Sequence, residues 1–129
     1  ASAEQAAEVA LGIAGLQDRR DDPASMLTLS GQKRLEIARA IATGARLILL
    51  DEVMAGLTPV EVDRMLDTVR TLRDTHGLTI LVIEHVMRAL MRLSDRIVVL
   101  DLGQVIADGT PQEIGGDERV IAAYLGKAA

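Results

Sequence analysis

Two apolar runs in this chain each end in residues able to hold a cation or move a proton. LILL, residues 47–50, is followed by Asp51 and Glu52, and ILVI, residues 80–83, is followed by Glu84 and His85. A carboxylate at the C-terminal end of a buried strand stands where open α/β sheets bind their ligands. There Asp51 could hold Mg²⁺ through water, while Glu52, pointing the other way, could orient or deprotonate an attacking water. If the two strands are neighbours, His85 lies beside those acids and could hydrogen-bond a terminal phosphate or the same water. The plainer readings are a solvated turn for the acids and a polar strand cap for the histidine. The ordered pair, apolar run plus Asp-Glu and then apolar run plus Glu-His, favours the chemical reading. His76, in the DTHG turn, is expected to face solvent.

A third candidate is the stretch LTLSGQKRLEIARA, residues 27–40, in which Thr28 and Ser30 precede a helical pattern. Either hydroxyl can cap that helix, with Lys33 and Arg34 solvated. A cap and an anion site share the same free backbone N–H groups, so the two roles are compatible.

The elements that must position these residues follow from pattern. With 129 residues there is room for one compact domain. Apolar residues make up 49% of the chain, but Phe, Trp and Cys are absent and Tyr124 is the only aromatic. The core must be aliphatic, and no disulfide framework or thiol zinc site is available. Lys plus Arg is 14 and Asp plus Glu is 19, a formal charge of −5, so nothing proposes a nucleic-acid partner. An anionic ligand would need local help from helix N-termini or a metal. The longest apolar runs fall far short of the roughly 20 residues of a spanning helix, and the opening residues do not read as a signal peptide.

Helical spacing runs from Glu4 to Leu16, with Gly15 near its end, and again through Leu35, Ile37, Ala38, Ala40 and Ile41 to about Gly44. Residues 46–50 and LTILVIEH read as buried strands, flanking a helix from Pro59 to His76 that Thr58 is placed to cap. VMRALMRLS reads as a short helix, DRIVVLDLGQVIADG as two strands joined at Leu102 and Gly103, and TPQEI and ERVIAAYL as closing helices. Two apolar strands, each reached through a helix, imply a parallel, doubly covered sheet with an antiparallel hairpin appended at its edge. The first 26 or so residues look like part of a different subdomain.

The span from Leu27 to Gly126 resembles the C-terminal part of an ABC-type ATPase, and most of all the ATP-binding subunits of branched-chain amino acid importers. LILLDE is similar to the Walker B strand, AGLTPVE to the D-loop region and TILVIEH to the switch-histidine strand. SDRIVVLDLGQVIADGTPQEI and VIAAYLG resemble the end of these subunits. The resemblance implies an α/β fold: the C-terminal part of a RecA-like P-loop ATPase core over residues 33–129, with parallel strands, flanking helices and a terminal hairpin. Residues 1–32 would be a remnant of the helical subdomain, ending in the signature loop. It makes Asp51 the Mg²⁺-associated acid, Glu52 the general base and His85 the γ-phosphate sensor, with Gly56, Leu57 and Thr58 in the D-loop. Val53 stands where the family commonly has Pro, Thr58 where many members have the D-loop Asp, and Val86 where Asp is frequent.

In the family, a signature of the form LSGGQ opens a helix and reaches ATP bound by the opposing subunit. The resemblance assigns that role to Thr28, Ser30, Gly31 and Gln32, in one of two registers. Matching letters puts the signature Ser at Ser30 but leaves two residues missing before RLEIARA, a rotation of about 200° at about 100° per residue. Matching lengths aligns Leu27 and Thr28 with the Leu-Ser pair, so that Ser30 replaces the second Gly and Gly31 the Gln. The helix then keeps its phase, and this register is preferred. Residues absent from the stretch are a third explanation.

No GxxxxGK[ST] occurs in the 129 residues, so there is no Gly-rich phosphate loop and no phosphate-binding Lys. The resemblance therefore implies a fragment of an importer's ATP-hydrolysing subunit, using ATP and Mg²⁺ only in the full-length protein and inactive alone. Implied partners are a second ATPase subunit, head to tail, and membrane permease subunits, which would place the protein in the cytoplasm at the inner face of the membrane. The alternative is a stand-alone regulatory module docking on a complete ATPase or permease. Cut from its neighbours, the truncated parallel sheet is expected to expose an apolar edge and to associate or aggregate.

Overall fold

The computed structural model describes residues 2–125. They form two compact units divided between Glu84 and His85. In the first unit, α1 (Ala3–Ile13) starts at a Ser2 cap reciprocated by Gln5 and buries Ala10. Ala10 and Ala14 pack with Ala38 of α2 (Leu29–Ala42), flanked by Leu11 and Ile41. Small side chains at this contact let two helices meet without large cavities. Between them the chain makes two short 3₁₀ turns, Gln17–Arg19 and Ala24–Met26, and residues 17–26 are all exposed.

Strand β1 (Leu47–Asp51) pairs in parallel with β2 (Thr79–Ile83), from Leu47 opposite Thr79 to Asp51 opposite Ile83. The crossover is α3 (Pro59–Asp74), whose Thr58 cap is closed by Glu61 and whose first helical residue is Pro59. Proline costs nothing there because that N–H has no intrahelical acceptor in any case. Spacing predicts one stripe of Val62, Met65, Leu66, Val69 and Leu72 on α3; the last four are buried and Val62 is half-buried. Leu66 and Leu72 are fully buried, which stabilises the fold by about 1.5–3 kcal/mol each.

The parallel sheet differs from expectation in its second face. Burial alternates along β1, with Ile48 and Leu50 buried. Leu47 (55%), Leu49 (66%), Leu81 (56%) and Ile83 (58%) are exposed. One face of this sheet is therefore exposed among the described residues.

In the second unit, α4 (Met87–Leu93) buries Ala89, Leu90 and Leu93. Strands β3 (Ile97–Asp101) and β4 (Gln104–Gly109) form an antiparallel sheet of their own, rather than an extension of the parallel pair. Leu102 (φ 49°) and Gly103 (φ 78°) make the turn between them, and positive φ at both central positions is the geometry whose twist matches a two-residue hairpin. A register shift between Val99 and Leu100 leaves Ile106 as the extra residue. Arg96 grips Asp108 through Nε (2.7 Å) and Nη2 (2.5 Å). Helix α5 (Pro111–Gly115) has a Thr110 cap closed by Glu113 and buries Ile114. After it come the single turn α6 (Glu118–Val120) and a π-helical turn, Ile121–Leu125, where a continuous helix was expected. The Tyr124 hydroxyl donates to the Leu100 carbonyl, tying that turn to β3. The end of VIAAYLG, at Gly126, lies outside the described residues.

Candidate functional site

Strand β1 extends one residue beyond its apolar run, so Asp51 is its last member and is exposed. The ladder continues past the strand, since Glu52 donates its N–H to the Ile83 carbonyl at 2.8 Å. Glu52 itself is left-handed, with φ 52°, a conformation in which a Cβ crowds its own backbone at a cost of about 1–2 kcal/mol. The chain then turns sharply: the Ala55 N–H reaches back to the Glu52 carbonyl at 3.2 Å, and Leu57 to that of Met54 at 3.3 Å. Val53 and Met54, each 2% exposed, anchor the turn in the core. Both acids are thus presented to solvent from a rigid base at the C-terminal end of a parallel strand.

The turn has a further anchor that sequence reasoning missed. Glu84, the residue after β2, accepts the Met54 N–H on Oε1 at 2.9 Å. Its other oxygen, Oε2, is buried with no hydrogen-bond partner among the described residues. The available signal was an acid at the end of an otherwise apolar strand, half-buried here.

Gly56 (φ 77°) follows at the bottom of the turn, and a Cβ placed on it would stand 3.0 Å from Leu29 Cδ2. The D-loop-like segment Gly56, Leu57, Thr58 therefore touches the start of α2. Leu57 is half-buried, and the Thr58 hydroxyl accepts the Glu61 N–H at 3.3 Å.

Of the two hydroxyls that open α2, Thr28 is the cap: its Oγ1 accepts the Gly31 N–H at 3.2 Å. Ser30 is already inside the first helical turn and half-buried. Gly31 is buried, and a Cβ on it would lie 3.1 Å from Leu27 Cβ. Gln32 is exposed, its N–H bonded to the Thr28 carbonyl (2.9 Å) and its side-chain amide to that of Leu27 (3.4 Å). Lys33 and Arg34 are both half-buried rather than solvated along their length. Arg34 Nη1 donates to the Ala14 carbonyl (3.1 Å) and to Thr68 Oγ1 (2.8 Å), joining the end of α1 to α3. Burial, and secondarily the Arg64 charge, lower its pKa.

The structure sets Asp51, Glu52, Gly56, Leu57 and Thr58 along one short stretch of chain, with Gly56 beside Leu29 at the start of α2. His85 is exposed and is the first residue of the second unit. His76 is exposed, as expected.

A family profile described as branched-chain amino acid ATP-binding cassette transporter matches residues 104–129. The high-affinity branched-chain amino acid transport ATP-binding protein LivG of Salmonella typhimurium is 45% identical over 114 residues, covering 88% of this chain and 45% of that protein. The corresponding protein BraF of Pseudomonas aeruginosa is 47% identical over 105 residues, covering 81% and 41%. A crystal structure of the ADP conformation of an ATP-binding cassette of an ABC transporter superposes with a TM-score of 0.86 at 29% identity, over 96% of this chain and 50% of that one. The chain spans about half the length of the relatives it matches.

Proposed function

We propose, from the premise that this chain is homologous to the C-terminal part of the ATP-binding subunits of ABC transporters, that it is the hydrolytic half of an importer's ATPase subunit, serving branched-chain amino acids. The observation that carries the proposal is the exposed pair Asp51 and Glu52 on a clamped turn at the end of a parallel strand. Residues 1–32 would belong to the helical subdomain and 33–129 to the ATPase core. The uncovered face of Leu47, Leu49, Leu81 and Ile83 supports this reading, since a partner half of the protein would cover it.

The described residues hold no cluster of three or more His, Cys, Asp or Glu able to cage a metal. Asp51 fits a lesser role, one water-mediated contact to Mg²⁺, with other ligands coming from the nucleotide and from polypeptide outside this segment. Bound Mg-ATP supplies the transferable phosphoryl group and the charge that neutralises it. With nucleotide bound, Glu52 would be the residue to accept a proton from an attacking water, and His85 would be the candidate to hydrogen-bond the terminal phosphate. At the opposing subunit's nucleotide, Thr28, Ser30, Gly31 and Gln32 form the signature. Gly31 already gives its N–H to the cap, so the donors left to an anion at this helix start are those of Thr28, Leu29 and Ser30. Gly56, Leu57 and Thr58 form the D-loop beside it.

The whole protein would pair head to tail with a second ATPase subunit and sit on the cytoplasmic face of a permease. No described helix is long and apolar enough to cross a membrane, so attachment would run through that partner. The test is ATPase assay of the full-length reading frame. Glu52→Gln is expected to lower kcat by about 100-fold or more while ATP affinity is kept. The 129-residue chain, which has no GxxxxGK[ST], is expected to give no micromolar Mg-ATP binding by calorimetry. Wild-type turnover by Glu52→Gln, or tight nucleotide binding by this chain alone, refutes the proposal.

A further inference from the structure

We infer that Glu84 is a positioning residue for Glu52: its carboxylate holds in place the turn that presents the proposed general base. The inference rests on the reading of Glu52 given above.

Two successive residues at the end of β2 grip two alternate residues of the turn. The Ile83 carbonyl accepts the Glu52 N–H at 2.8 Å, and Glu84 Oε1 accepts the Met54 N–H at 2.9 Å. Between the gripped residues lies Val53, buried to 2% exposure. Glu52 is left-handed at φ 52°, a conformation that persists in a residue with a Cβ only where its surroundings over-determine it. The paired grip supplies that constraint. The strand hydrogen bond from Ile83 fixes where the turn begins, and the carboxylate of Glu84 fixes its direction two residues on.

Glu84 is an improbable residue for mere packing. It follows ILVI, and its Oε2 is buried without a partner among the described residues. Burying a carboxylate oxygen in this way is unfavourable, and an apolar side chain would fill the place at less cost. What Glu84 supplies there is an oxygen that accepts the Met54 N–H at 2.9 Å, a bond no apolar side chain could make.

The experiment uses the full-length protein, with Glu84→Leu, Glu84→Ala and Glu84→Gln. Leu and Ala abolish the bond to Met54, whereas Gln retains an oxygen that can accept it. For Leu and Ala, kcat is expected to fall by about 10- to 100-fold with the KM for ATP within about 2-fold, as displacement of a catalytic group predicts. Gln is expected to stay within about 3-fold of wild type. Hydrogen exchange at the Met54 amide should speed up in Leu and Ala and stay near wild type in Gln. A purely structural role would instead lower the melting temperature and leave kcat of the folded protein unchanged. Folded Leu or Ala protein turning over at the wild-type rate overturns the inference, as does unchanged exchange at Met54. If the unmutated protein hydrolyses nothing, the functional reading falls, while the Met54 exchange rates still decide whether the clamp exists.

Discussion

Replacing Glu52 by Gly and by Ala separates the backbone of this turn from its chemistry. Both substitutions remove the carboxylate and every contact it makes, so their difference isolates the φ of 52°. At a left-handed position a Cβ costs about 1–2 kcal/mol, while the greater freedom of Gly in the unfolded chain costs about 0.4–1 kcal/mol. The balance makes Glu52→Gly more stable than Glu52→Ala by about 1 kcal/mol. At an ordinary helix or strand position the order is opposite, with Gly the worse by about 0.5–1 kcal/mol, so the sign alone is diagnostic. Urea unfolding at fixed pH reads it directly. With a slope of about 2 kcal/mol per molar, the midpoint of the Gly variant should lie about 0.5 M higher at unchanged slope. An alanine variant as stable as the glycine variant would refute the left-handed turn, and with it the presentation of Glu52 argued here.

Three further outcomes are expected. Leu102 is left-handed at φ 49° and 97% exposed in the hairpin turn, so Leu102→Asn, which creates Asn-Gly, should raise stability by about 0.5–1 kcal/mol by thermal melting; no rise would count against the turn geometry. Leu47, Leu49, Leu81 and Ile83 form an exposed apolar face. The 129-residue chain should therefore associate with copies of itself in light scattering, and the double change Leu49→Lys, Leu81→Lys should shift it toward monomer; a monomeric wild-type chain would contradict this. Hydrogen bonding from Arg96, reinforced by its charge, lowers the Asp108 pKa. A depressed carboxylate pKa stabilises the hairpin above about pH 3.9, and that contribution is lost as pH falls through the lower folded value. Asp108→Asn should show a shallower loss of stability in acid, and since both side chains are exposed the difference should shrink in high salt; identical acid profiles would exclude the contribution.

Features that depend on neighbours in sequence were legible. The caps at Thr58 and Thr110 each have Pro next and Glu three residues on, and all of their chemistry lies within one turn of chain. The stripe of α3 was legible for the same reason. Thr28 and Ser30 were both chemically able to cap α2, and only the bond from the Gly31 amide to Thr28 distinguishes them. Apolar runs misled where cover was at issue: Leu49 and Leu81 read as buried, but what lies over a sheet face is decided far away in sequence. The Glu84 clamp showed only as an acid after an apolar run, because its partner is a backbone amide 30 residues earlier, and backbone amides carry no letter. The left-handed turn at Glu52 was hidden likewise, with no Gly or Asn to announce it.

The cap at Thr28 and the anchor at Arg34 have a consequence for how this segment can change over generations. Thr28 marks where the helix begins, and Arg34, six residues on, must point at both Ala14 and Thr68. Adding or removing two residues between them would swing the guanidinium about 200° around the helix axis and break both bonds at once. The exposed turns of residues 17–26 carry no such constraint, and chain can be gained or lost there at small entropic cost. Lineages carrying this fold should therefore vary in length within residues 17–26 and only in letters between Thr28 and Arg34.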